Sequence, residues 1–278
     1  MRSQTFLCLF ASITGHVSAT GILLPLYIYP SQVFNDGAVN WQPARTAMSS
    51  HPSVQWLAVI NPDSGPGGTR QPGNADTNYI TGVSQLNALP NVRTIGYVHT
   101  SFSTAPMTEL QANITTWKNW ATASSNISVD GIFFDETSAD FTYLSNATAF
   151  ARQAFGSRPI TVVCNFGTAA TAQFYTICDV VVAFESCLNC PDGPPYASQS
   201  TISANIPSGK QAQAAILVHD FSGTAHDGST ANAGLLTQYV DTLVGDGVGW
   251  CYFTSAGYDT ITTAPATVSA LAADVASA

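Results

Sequence analysis

The sequence predicts an α/β protein built as a single (β/α)₈ TIM barrel domain, and three observations carry that expectation. Eight short apolar runs recur along the chain, each long enough for one buried strand and too short for a helix. Segments of helical or loop character separate them at intervals of roughly 20 to 40 residues, the rhythm of parallel strands joined by right-handed crossovers. Beyond an N-terminal leader, about 260 residues remain, the usual size of one such barrel.

The leader is residues 1–19. Arg2 supplies a positive end, 5–11 (TFLCLFA) an apolar stretch, and Val17-Ser18-Ala19 a small-residue cleavage site, so a secreted protein is expected. The strands read 22–27, 55–60, 93–98, 131–135, 160–164, 180–184, 214–218 and 248–253. Between the third and fourth, Leu110, Ile114, Trp117 and Ala121 recur at helical spacing on one face, which places Trp117 and Trp120 against the barrel. After the second strand, 61–68 (NPDSGPGG) is a run of turn formers. It lacks the Lys-Ser/Thr of a phosphate-binding loop and has no GxGxxG spacing.

Composition narrows the partners. Only 9% of residues are charged and the net charge is −9, with eight Lys and Arg scattered along the chain. Nucleic acids and anionic membranes need basic patches, so neither is an expected partner, and a neutral or cationic ligand fits better. No later run approaches the ~20 apolar residues of a membrane span. Asn113, Asn126 and Asn146 head glycosylation sequons, whereas Asn61 precedes Pro and does not.

Of six cysteines, Cys8 leaves with the leader, and an odd set of five remains. Cys187 and Cys190 bracket a short loop and are expected to bond to each other. Cys164 and Cys178 are expected not to bond, because one lies near the top of the fifth strand and the other precedes the bottom of the sixth. No second Cys or His pair stands at ligand spacing, so neither a metal nor a cofactor is expected. A monomer is expected.

Two strand candidates stop on acids: 131–135 on Asp135, followed by Glu136, and 179–184 on Glu185. An acid closing a buried parallel strand marks its C-terminal end, where barrels gather their reactive groups. If Asp135 points inward with Phe133 and Gly131, Glu136 falls on the rim or turns outward. By the same parity Glu185 goes with Ala183 and Val181, and Asn165 with Val163. Asp135, Asn165 and Glu185 then converge on one mouth. Paired carboxylates in a cleft suit glycoside hydrolysis, one protonated and one ionised. Helix capping is the plainer use of such acids. Tyr27, Tyr29, Asn61, His99, His219 and Thr254 stand at other strand ends and would ring the mouth with polar groups. Tyr27 and Trp250 could offer stacking faces to sugar rings, although Trp250 suits the barrel core equally well.

The blocks ILLPLYIYP (22–30), VINPDSGPG (59–67), IGYVHT (95–100), DGIFFDE (130–136), VCNFGT (163–168) and VAFES (182–186) resemble the spherulin-type, spherulation-specific family of secreted fungal and microbial glycoside hydrolases. The resemblance runs through most of the chain. It implies a barrel that cleaves internal α-1,4 linkages between N-acetylgalactosamine units of the fungal polysaccharide galactosaminogalactan. It also implies an active groove formed by Asp135, Asn165 and Glu185, with Glu136 as the adjacent acid. One departure stands out: the fifth-strand block usually continues Asn-Pro-Gly and here reads Asn165-Phe166-Gly167. The expected roles are Asp135 as nucleophile and Glu185 as acid/base, or the reverse. The rivals are a hydrolase of another α-linked galactosamine or galactose polymer, and a secreted surface or spore-coat protein that binds polysaccharide without cutting it.

Overall fold

Eight parallel strands close into one barrel in chain order: β1 (Gly21–Leu26), β2 (Trp56–Ile60), β3 (Val92–His99), β4 (Gly131–Asp135), β5 (Thr161–Asn165), β6 (Val180–Cys187), β7 (Ala214–His219) and β8 (Trp250–Phe253). This computed structural model describes residues 19–191 and 193–278. The expected leader, 1–19, falls almost wholly outside the described residues. The strands are buried on both faces, which is why they read in sequence as continuous rather than alternating apolar runs.

Among the described residues, seven α-helices surround the barrel: α1 (Gln42–Ser50), α2 (Thr77–Leu86), α3 (Met107–Asn119), α4 (Phe141–Phe155), α5 (Gln199–Asn205), α6 (Ala233–Gly245) and α7 (Val268–Ser277). Four begin on side chains that accept an otherwise unpaired backbone N–H: Asp76 for α2, Asp140 for α4, Asn232 for α6 and Thr267 for α7. Helix α3 buries Leu110, Ile114 and Trp117, and Trp120 just past its end is equally buried. The helix stops before Ala121, which sits exposed in a 3₁₀ turn. The Trp117 indole lies on β3 where Gly96 leaves room, since a Cβ there would overlap the ring, and its Nε1 donates to Tyr97 O at 2.7 Å. Among the described residues, no helix is long and apolar enough to cross a membrane.

Strand register sets which residues face the barrel axis. Phe133 pairs with Tyr97 and with Val163, so these three share the inward face, while Phe134 and Cys164 share the outward one. The sixth strand departs from simple alternation. Asn165 pairs with Val182 and Cys164 with Val181, so Val181 faces outward, contrary to the parity expected from the sequence. A β-bulge between Val182 and Phe184 then inserts one residue, and Glu185 pairs with Leu217 and swings to the inside. Without that bulge, the parity of Val180 and Val182 would send the Glu185 side chain into the helix layer.

The connection from β5 to β6 carries no α-helix, only a 3₁₀ turn at Phe174–Thr176. This overturns the expectation that Cys164 and Cys178 stay apart: they are disulfide-bonded, with Cα atoms 6.0 Å apart. Cys178 does not lie on the line of β6 as assumed. Its N–H closes onto Phe174 O at 3.0 Å and Ile177 has helical backbone, so the chain curls over the outer face of β5, where Cys164 projects. Cys187 and Cys190 are bonded to each other, and Cys251 is free and buried.

The Cys164–Cys178 bridge closes a loop of 14 residues' separation. Loops of that size restrict the unfolded chain by about 3 kcal/mol. Replacing both cysteines by serine should therefore lower stability by about that much, read as a fall of roughly 6 to 12 °C in Tm. An unchanged melting curve would show that the bridge does not constrain the fold.

Candidate active site

The C-terminal mouth holds a cavity of about 270 Å³ lined by Phe102, Asp135, Glu136, Thr137, Asn165, Phe166, Gly167 and Glu185. At its floor, one amide joins two acids. Asn165 Nδ2 donates one hydrogen to Asp135 Oδ1 at 2.7 Å and the other to Glu185 Oε2 at 2.5 Å. Its Oδ1 accepts from Gly167 N at 2.9 Å, which fixes the amide's orientation. Two tyrosines hold the remaining oxygens. Tyr97 donates to Asp135 Oδ2 at 2.6 Å and Tyr258 to Glu185 Oε1 at 2.7 Å. Each carboxylate is thus aimed by two donors.

The environments of the two acids differ. Burial pushes the Glu185 carboxyl above its ordinary range, opposed by the hydrogen bonds from Tyr258 and Asn165, reinforced by the Asp135 charge and eased by His219. A buried carboxyl whose pKa is raised beside a second acid is suited to donating a proton to a leaving group. Tyr27, in edge contact with Tyr97 and Tyr258, has its phenol pushed well up by burial and by both acids, so it remains a neutral donor at the mouth.

Glu136 lies on the rim of the mouth, with its side chain partly exposed and turned inward rather than outward. Its backbone is left-handed at φ 51°, which returns the side chain to the mouth, where Oε2 lies 2.7 Å from His99 Nε2. His219 also lies at the mouth, 2.7 Å from Asp220 through Nδ1 and edge-on to Tyr258. Asn61 accepts from Gly65 N at 3.0 Å and holds the turn after β2. Tyr29 sits on the outer rim, donating to Asp76 and accepting from Asn78. Thr254 is buried beneath the loop that carries Tyr258, with Oγ1 directed to Thr260 O.

Trp250 is a correction. It opens β8 opposite Gly21 and Ala215, at the N-terminal end of the barrel, where the missing Cβ of Gly21 accommodates its ring. It is part of the barrel floor and remote from the mouth. Of the sequon asparagines, Asn126 and Asn146 are exposed, and Asn113 is half-buried beside Gly65.

Sequence reasoning missed Tyr97, Tyr258 and Phe102. Tyr97 was reachable by parity, two residues before His99 on the same face. Tyr258 lies in the loop after β8 and Phe102 in the loop after β3, where strand parity carries no information. Among the described residues, no group of three or more His, Cys, Asp or Glu is placed to hold a metal ion.

The fold and site together define a (β/α)₈ barrel protein with a hydrogen-bonded carboxylate pair at its C-terminal mouth. The chain belongs to spherulation-specific family 4, whose model matches residues 21–275. It is 29% identical over 254 residues to spherulin-4 of Physarum polycephalum, covering 85% of this chain and 68% of that one. Among solved structures it is similar to Aspergillus clavatus Sph3 in complex with GalNAc, with TM-score 0.73 and 27% identity over 93% of this chain and 98% of that one. A GH18 chitinase from Flavobacterium johnsoniae shares the fold alone, with TM-score 0.50 and 8% identity over 93% of this chain and 94% of that one.

A raised carboxyl pKa has a stability consequence. Below the unfolded-state value, near 4.5, Glu185 is protonated in both states, and its burial in neutral form is fully tolerated. As pH rises through the folded value, the unfolded chain ionises more readily and stability is lost. Glu185→Gln should therefore melt higher than the native protein at pH 7, with the advantage shrinking below pH 4.5. An advantage that persists at pH 3.5 would mean that it does not come from ionisation.

Proposed function

We propose that this protein is a secreted glycoside hydrolase that cleaves internal α-1,4 linkages in an N-acetylgalactosamine polysaccharide of the galactosaminogalactan type, acting through Asp135 and Glu185. The observation that carries this reading is the Asn165 amide shared between the two acids. The acid oxygens that flank it are separated by no more than two hydrogen-bond lengths. A pair this close at its nearest oxygens is compatible with the short separation of retaining enzymes.

The substrate's stereochemistry points the same way. In an α-linked 2-acetamido galactoside the acetamido group and the leaving oxygen are cis, so the acetamido oxygen cannot attack from behind. The protein must then supply its own nucleophile or an activated water, and either route uses two carboxyl groups. Asp135, ionised and steadied by Tyr97 and Asn165, attacks the anomeric carbon as Glu185 passes its proton to the departing oxygen. A glycosyl ester on Asp135 results. Glu185, now ionised and accepting from Tyr258 and Asn165, takes a proton from water, which displaces Asp135 and restores both acids. The bound GalNAc of the Sph3 complex and the family membership support the sugar chosen. Two disulfides agree with an oxidising, extracellular setting.

Incubation with the purified polymer, followed by mass analysis of the released oligosaccharides, tests the activity. Asp135→Asn and Glu185→Gln should each lower turnover by about 10²-fold or more with the fold intact, while Glu136→Gln costs less. Near-native turnover in both of the first two variants would place the chemistry elsewhere, and binding without cleavage by the native protein would favour the non-catalytic alternative. The pH profile should be bell-shaped, with Glu185 on the basic limb. Tyr258→Phe removes a donor that favours the ionised carboxyl, so it should move that limb to higher pH. A limb that stays in place would detach it from Glu185.

A further inference from the structure

The loop after β3 carries an arrangement that the two-acid chemistry does not use. Ser101, Phe102 and Ser103 are consecutive left-handed residues, with φ of 49°, 54° and 63°. Left-handed backbone is ordinarily visited by single residues, and for a bulky side chain such as Phe it is an outlier. The strained run persists because the surrounding hydrogen bonds dictate it. Thr100 N donates to Asp135 O at 3.0 Å, and Thr100 Oγ1 lies 2.9 Å from Asp135 O and 2.7 Å from Glu136 O. Ser138 N donates to Ser103 Oγ at 3.1 Å. The turn is strapped to the backbone that carries the first acid. Its product is a phenyl ring that is 65% exposed, at the wall of the acid cleft. Presenting the ring on a strained turn costs stability, and strain of this kind concentrates where a ligand is clamped.

We propose that Phe102 is a stacking platform for a galacto-configured pyranose, setting that ring's height and angle relative to Asp135; this rests on the hydrolase reading above. In a galacto-configured ring the axial O4 leaves the hydrogens of C3, C4 and C5 together on one face, an apolar patch that an aromatic ring covers well. A gluco-configured ring has no such continuous patch. Phe166, packed on Phe174 at 4.8 Å between ring centroids, forms another wall of the same cleft. Because the turn and the Asp135–Glu136 backbone are hydrogen-bonded as one body, the platform and the acid keep a fixed spacing. Phe102 is thus a positioning and specificity residue rather than a catalytic one.

The test measures binding and turnover separately. Calorimetric titration of an α-1,4-linked N-acetylgalactosamine oligosaccharide into Glu185→Gln, with and without Phe102→Ala, should show a Kd weakened about tenfold or more. Phe102→Leu, which keeps the bulk but not the aromatic face, should behave like Phe102→Ala, and Phe102→Trp should restore binding. On the active protein the loss should fall mainly on KM, and Phe102→Ala should narrow the preference over gluco-configured oligosaccharides. Native-like Kd in Phe102→Ala, full rescue by Phe102→Leu, or no binding by any variant would overturn the platform. Phe102-dependent binding without cleavage by the native protein would uphold the platform and remove the hydrolase reading.

Discussion

Everything at the mouth depends on a single primary amide with both hydrogens committed. Asn165 spans the gap between Asp135 and Glu185, and its oxygen is held by Gly167 N, so the side chain has no freedom to rotate. Two carboxyl groups this close repel when both are ionised, and burial makes the repulsion stronger. The amide moderates that conflict by giving each acid a donor. Its backbone carbonyl does further work, accepting from both N and Oγ1 of Thr137 and so holding the segment after Asp135. A charged residue at 165 would unsettle the acids and the β4 loop together.

A second constraint lies in the backbone of β6. Asp135 and Asn165 reach the axis by ordinary strand alternation, but Glu185 reaches it only because one residue is inserted near Ala183. The irregularity that aims the acid also shapes its surroundings: Glu185 N donates to Gly167 O, and Phe166 N donates to Val182 O. The β5 loop and the bulged strand are therefore stitched together on both sides of the displaced residue. This agrees with the general placement of bulges beside functional side chains.

The barrel was legible in the sequence because parallel strands covered on both faces leave continuous apolar runs, and the eight runs match the eight strands within a few residues. Asp135, Asn165 and Glu185 were legible for a related reason, since a polar residue that closes such a run has few places to go other than the rim. Glu185 was found on the correct face by a parity argument that was wrong about Val181; a bulge leaves no signature in composition. Trp250 was misplaced because an apolar run does not say which of its residues opens the strand and which lies near the mouth. The Cys164–Cys178 bond runs against the strand offset expected from the sequence, because Cys164 is level with Val181 near the start of β6 and the chain before it curls back rather than extending. Loop residues such as Tyr258 were out of reach, since their position depends on backbone turns and not on periodicity.

The helix-free passage between β5 and β6 has one more implication. Elsewhere the barrel is sealed from outside by packed helices, but at this seam three register pairs and a covalent bridge stand in their place. Local opening of a protein follows its least-supported boundary, and amide hydrogen exchange reports the order in which boundaries yield. With the bridge reduced, this seam would rest on its backbone pairing and on the hydrogen bonds that Phe166 N and Glu185 N make across it, next to the strand end that carries Asn165.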